Sequence, residues 1–137
     1  MAERKTLENA GSVKDFLNAV KNARRRQDSL VVTKMMERVS RKTPKMWGPS
    51  IVGFGKHRYL YANGSEGEIC KIGFAPWAQS LVFYLANFSG RAKYLKRLGK
   101  HKISRGGCIY VNKLDDVDLN VLDVMFEEAY EYDSDDA

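Results

Sequence analysis

The spacing of apolar and polar residues changes period twice along the chain. Val13, Phe16, Leu17 and Val20 fall at i, i+3, i+4 and i+7 and give one helical face. Ser12 stands before it with Asp15 three residues on, which predicts a capped start. Arg24-Arg25-Arg26 follow where a helix C-terminus favours cations. Asp28 is the expected cap of a second helix that buries Leu30, Val31, Met35 and Val39 and stops at Thr43-Pro44.

Beyond Pro44 the pattern turns to short β-type runs between glycines and prolines. Ile51–Phe54, Arg58–Ala62, Glu68–Phe74, Ser80–Leu85 and Cys108–Val111 read as five strands. Asn63-Gly64 with Gly67 predicts a hairpin between the second and third. Leu81-Val82-Phe83-Tyr84-Leu85 is apolar throughout, as in a strand covered on both faces. Ser89 is the expected cap of a short basic helix, Gly90–Leu98, closed by Gly99. Helical spacing returns at Val121, Leu122, Met125 and Phe126. Asp115 is read as the N-cap, Asp118 as the N3 acid, and Leu114 with Leu119 as a staple. These elements predict an α+β single domain: two N-terminal helices, a mostly antiparallel five-stranded sheet, a short basic helix and a closing helix. Residues 1–11 are a polar lead-in, 12–130 the domain and 131–137 an acidic tail.

Charge adds what periodicity does not. The formal net charge of +6 is the sum of two unlike parts. Residues 1–114 hold 23 Lys and Arg against 7 Asp and Glu, a net +16. Residues 115–137 hold no Lys or Arg and 10 acids, a net −10. The acidic end either screens the basic body or faces a partner of opposite charge. No apolar run approaches the ~20 residues that span a bilayer. Two cysteines, Cys70 and Cys108, make no disulfide framework, so the expected setting is cytoplasmic with reduced thiols.

Four words of the chain carry a resemblance. They are Lys45-Met46-Trp47-Gly48-Pro49-Ser50-Ile51-Val52-Gly53-Phe54-Gly55, Gly73-Phe74-Ala75-Pro76, Leu98-Gly99-Lys100-His101-Lys102 and Leu114-Asp115-Asp116-Val117-Asp118. In this order they resemble the YdhG-like family, bacterial domains of unknown function. Some relatives are described as frataxin-like iron chaperones, a branch without the Lys-Met-Trp-Gly-Pro-Ser word. Family members often carry a basic residue after Gly-Phe-Ser-Pro; here Ala75-Pro76 leads to Trp77.

The candidate site follows from residue types. Trp47 and Phe54 offer apolar walls, and the glycines beside them permit close approach to the backbone. Lys45, Lys56 and Arg58 extend that segment with cations, and Lys100, His101, Lys102 and Arg105 cluster beside Gly106-Gly107, as anion binding requires. The resemblance puts both clusters in matching words, so they are expected to meet on one side of the sheet. The resulting expectation is a binding module, not an enzyme, for an anionic small molecule or an acidic protein surface. It predicts no catalytic residue, metal or cofactor, and no membrane partner. Nucleic acid on Arg91, Lys93, Lys96, Arg97 and Lys100 is the weaker reading, since no named motif occurs. A frataxin-like metal chaperone using the acidic end is the alternative. An enzyme centred on Ser50 with His57 or His101 as base comes third.

Overall fold

The computed structural model describes residues 8–60, 66–86, 88–104 and 107–132, those at 57–60 and 66–68 by their backbone. The chain opens with strand β1 (Glu8–Asn9), then helices α1 (Val13–Asn18) and α2 (Ala23–Ser40). Seven strands follow: β2 (Lys45–Trp47), β3 (Ile51–Phe54), β4 (His57–Leu60), β5 (Glu66–Ile69), β6 (Ile72–Pro76), β7 (Leu81–Leu85) and, after helix α3 (Arg91–Leu98), β8 (Lys102–Ile103). Strand β9 (Ile109–Val111), a 3₁₀ turn at Leu114–Asp116 and helix α4 (Leu119–Glu131) complete it.

The α+β expectation holds, and the five-stranded sheet is corrected. The main sheet has seven strands in the order β1-β2-β3-β6-β7-β9-β8, all antiparallel, while β4 and β5 pair apart from it. The expected Glu68–Phe74 strand is two strands, because the chain breaks at Cys70-Lys71 between the hairpin and the main sheet. Arg58 pairs with Glu68 as the hairpin requires; its Asn63-Gly64 turn lies outside the described residues.

Register explains the layers. Asn9, Met46, Val52, Phe74, Phe83, Ile109 and Ile103 form one lateral row across all seven strands. Met46, Val52, Phe74, Phe83 and Ile109 belong to the core that the helices cover. Phe126 of α4 meets Phe83 edge-on with centroids 5.6 Å apart. The opposite face alternates with it. There Lys45, Gly53, Gly73 and Tyr84 form a row, and Trp47, Ala75 and Val82 are closed from solvent. The half-buried Tyr84 hydroxyl lies on this face. The hydroxyl's pKa lies above the ordinary tyrosine value, chiefly through burial.

Helix starts show where local and tertiary forces part. Ser12 caps α1, its Oγ accepting from Asp15 N at 3.1 Å. Helix α2 starts earlier than expected: Asn22, not Asp28, is its cap, accepting from Arg25 N at 2.8 Å. Asp28 lies inside the helix, where its Oδ2 accepts from Leu114 N at 3.1 Å. The arginine run therefore opens α2 and does not close α1. The buried face of α2 is Arg25, Asp28, Ser29, Val32, Thr33, Met36 and Ser40, and Leu30 and Val31 are exposed. Ser29 and Thr33 satisfy their hydroxyls on the carbonyls four residues back, while Arg25 Nε on the same face is buried without a partner. Helix α4 starts later than expected. Asp118 is its cap, accepting from Asn120 N and Val121 N, and Asp115 lies in the 3₁₀ turn, bonded to Arg24 at 2.6 Å.

Candidate functional site

The expected basic residues divide between two clefts at opposite ends of the sheet. Lys45 starts β2 and Lys56 follows β3. They border a cleft of about 560 Å³ together with Glu8, Lys42, Thr43, Gly55, Lys71 and Tyr130. Lys100, His101 and Lys102 border another of about 660 Å³ with Ser80, Tyr110 and Asn112. Strand alternation puts Trp47 and Lys102 on one face, but β3, β6, β7 and β9 lie between their strands. Five spacings of about 4.8 Å set them roughly 24 Å apart. No shared site forms, because the Lys102 strand is the far edge of the sheet.

Trp47 and Phe54 are core residues. Trp47 is 1% exposed, and its Cδ1 lies 2.5 Å from where a Cβ on Gly53 would stand. Cys70 Sγ fills the same hollow, 2.8 Å from that point, so Gly53 is required by close packing and not by a ligand. Phe54 is wholly buried against the helices. Ser50 lies in the turn between β2 and β3. The ring of His101, at the other end, donates from Nδ1 to Gly99 O at 2.7 Å. Arg105 and the side chains of His57 and Arg58 lie outside the described residues.

The first cleft is the more strongly charged. Lys42 arrives from the end of α2, Lys45 from β2, Lys56 from the exit of β3 and Lys71 from the entry to β6. Lys71 N donates to Phe54 O at 3.0 Å, which sets Lys71 beside Gly55. Gly55 has φ +74, and Tyr130 stands 2.9 Å from the position of a Cβ there, so only glycine fits. Lys71 Nζ lies 4.9 Å from the Tyr130 ring centre. The Tyr130 hydroxyl is held in its protonated form by burial. Glu8 is the one carboxylate among the described lining residues, and it bonds Lys56 at 3.2 Å. Lys42, Lys71 and Tyr130 had no signal in the sequence: β3–β6 pairing and the return of α4 bring them together.

Three of the seven described acids at the C-terminal end of the chain are occupied elsewhere. Asp115 bonds Arg24, which holds its carboxyl below the ordinary range. Asp118 caps α4 and Asp123 bonds Arg38 at 2.6 Å. Among the described residues no group of three or more His, Cys, Asp or Glu is placed to hold a metal ion. No described helix is long and apolar enough to cross a membrane. Compared with protein-family models, curated proteins and solved structures, the chain gives no match.

Proposed function

We propose that this chain is a YdhG-like binding module that holds an anionic molecule in the Lys42–Lys45–Lys56–Lys71 cleft. One observation carries the reading: four lysines from four separate segments line a cleft at the Gly55 bend, with a single, already bonded carboxylate among the described lining residues. Like charges on one cleft repel one another, so the site gains when an anion enters. Lysine suits an anion approached from several directions, as a point charge with rotatable donors. Solvent reaches these side chains, so each contact contributes modestly, about 0.2–1 kcal/mol, and affinity comes from their number.

Titration calorimetry with pyrophosphate at low salt tests the reading. Binding is expected, with affinity falling as ionic strength rises. Lys45→Ala and Lys71→Ala should each weaken it severalfold, while Lys102→Ala, in the far cleft, should not. Equal effects of Lys45→Ala and Lys102→Ala would show a diffuse charge effect and defeat the proposal.

A further inference from the structure

Beside the lysine cleft lies a second hollow of different character. It has a volume of about 260 Å³ and is lined by Ile69, Leu85, Ala86, Tyr84, Tyr132 and both cysteines, among others. Lys71 borders both hollows. The last turn of α4 divides them: Ala129 and Tyr132 line the apolar one, and Tyr130 lines the basic one. Both open at the end of the sheet where β3 and β7 finish and β6 and β9 begin. An apolar cavity adjoining a ring of cations is complementary to a molecule with the same division. The cavity is smaller than the ~300–1,000 Å³ that drug-sized ligands occupy, which limits the apolar part to a short chain or one ring.

We infer that the two hollows take one ligand: an amphiphilic anion whose head rests among Lys42, Lys45, Lys56 and Lys71 and whose short apolar tail enters the cavity walled by Leu85, Ala86 and Tyr132. The inference rests on the anion-binding reading above and adds the tail. The Lys71 stem, apolar along its length and charged at its tip, forms the boundary that such a ligand crosses.

A chain-length series separates the two claims. Inorganic phosphate, ethyl, butyl and hexyl phosphate are titrated into the full chain below their aggregation limits. Each added methylene should tighten binding by about three- to fourfold until the cavity is full. Phosphate binding with a flat series would overturn the tail and leave the anion reading intact. No phosphate or alkyl phosphate binding at all would defeat both. Ala86→Phe, which fills the cavity from its rim, should flatten the series and leave phosphate affinity unchanged. Lys71→Met should weaken every member by a similar factor and preserve the slope.

Wild-type protein supplies a test that needs no substitution. Cys108 is half-buried and lines the cavity, whereas Cys70 is closed off and its thiol is pushed up to about 12 by burial. Iodoacetamide at pH 8 should therefore modify Cys108 first. Hexyl phosphate should slow that reaction and inorganic phosphate should not; equal rates with both would overturn the proposal. Phosphatidylglycerol vesicles distinguish a lipid surface from a free ligand. Flotation with vesicles but no response to monomeric alkyl phosphates would overturn the free-ligand assignment.

Discussion

Three consecutive arginines should respond to substitution in different ways, and Arg25 carries the largest effect. Its side chain is 7% exposed. Nη1 donates to Trp77 O at 3.0 Å and Ala78 O at 2.7 Å, and Nη2 donates to Asn112 O at 3.0 Å. The guanidinium thus joins the start of α2 to the β6–β7 turn and the exit of β9. A fourth bond, from Nη2 to Asn112 Oδ1, is 3.3 Å long. Four hydrogen bonds from a charged donor, at a net ~1.5 kcal/mol each, set a gross figure of about 6 kcal/mol. Two effects reduce it. Burying the guanidinium has its own desolvation cost, and the Trp77, Ala78 and Asn112 carbonyls, on exposed residues, can turn to water once Arg25 is gone. Arg25→Met should then cost about 2–3 kcal/mol. With a urea slope near ~2 kcal/mol/M, the unfolding midpoint should fall by about 1–1.5 M. Arg25→Lys should lose nearly as much, because one ammonium cannot span three carbonyls in a planar fork. Arg24→Gln, which removes an exposed bond to Asp115 and a 3.4 Å contact with the buried Asp28, should lower the midpoint by less than Arg25→Met does. Urea unfolding followed by tryptophan fluorescence reads all three. A midpoint shift under about 0.5 M for Arg25→Met, with an unchanged slope, would refute the clamp.

Gly99→Ala should destabilise by at least ~2 kcal/mol, since φ is +118 and the new Cβ would stand 2.4 Å from Asp116 O; thermal unfolding checks it. Alkaline pH should lower stability through Cys70. Its folded pKa of about 12 lies above the ordinary thiol value of 9.0, so the stabilisation is complete below pH 9 and is lost as pH rises from there toward 12. The slope is at most ~1.4 kcal/mol per pH unit, read as the difference between wild type and Cys70→Ala across pH 9–11. Ending the chain after Tyr132 removes Asp133, Asp135 and Asp136, which follow directly on the helix turn that borders the lysine cleft. Affinity for pyrophosphate or heparin should rise, with the gain shrinking as salt increases; unchanged retention at low salt would show that these acids do not screen the cleft.

Local signals were legible, and meetings between distant segments were not. The Ser12 and Asp15 cap could be read because its partners are three residues apart. Ile51–Phe54 and Leu81–Leu85 could be read because their side-chain types favour strands in any setting. The two- and three-residue strands β1, β2 and β8 take their order from a partner's ladder and have no pattern of their own. Arg25 reads, with the two arginines that flank it, as part of the cationic close of the first helix. The helical position that turns it inward is visible only once Val32 and Met36 are known to define the buried face, in place of Leu30 and Val31. In the site, Lys45 and Lys56 were legible from one glycine-rich segment. Lys42, Lys71 and Tyr130 join them only through strand pairing and the path of α4.

The two margins of the main sheet have a consequence for the chain in concentrated solution. An open sheet offers unpaired N–H and C=O groups along its outer strands, and a second chain can add to them. Among the described residues both outer strands are two residues long, Glu8–Asn9 and Lys102–Ile103, and each includes a charged side chain. An incoming strand would find too few bonds to hold it, and the five longer or middle strands are already paired on both sides. Loss of the first strand would uncover Met46 and Trp47 along a three-residue edge. Clipping before residue 10 should therefore promote edge-to-edge assembly relative to the intact chain.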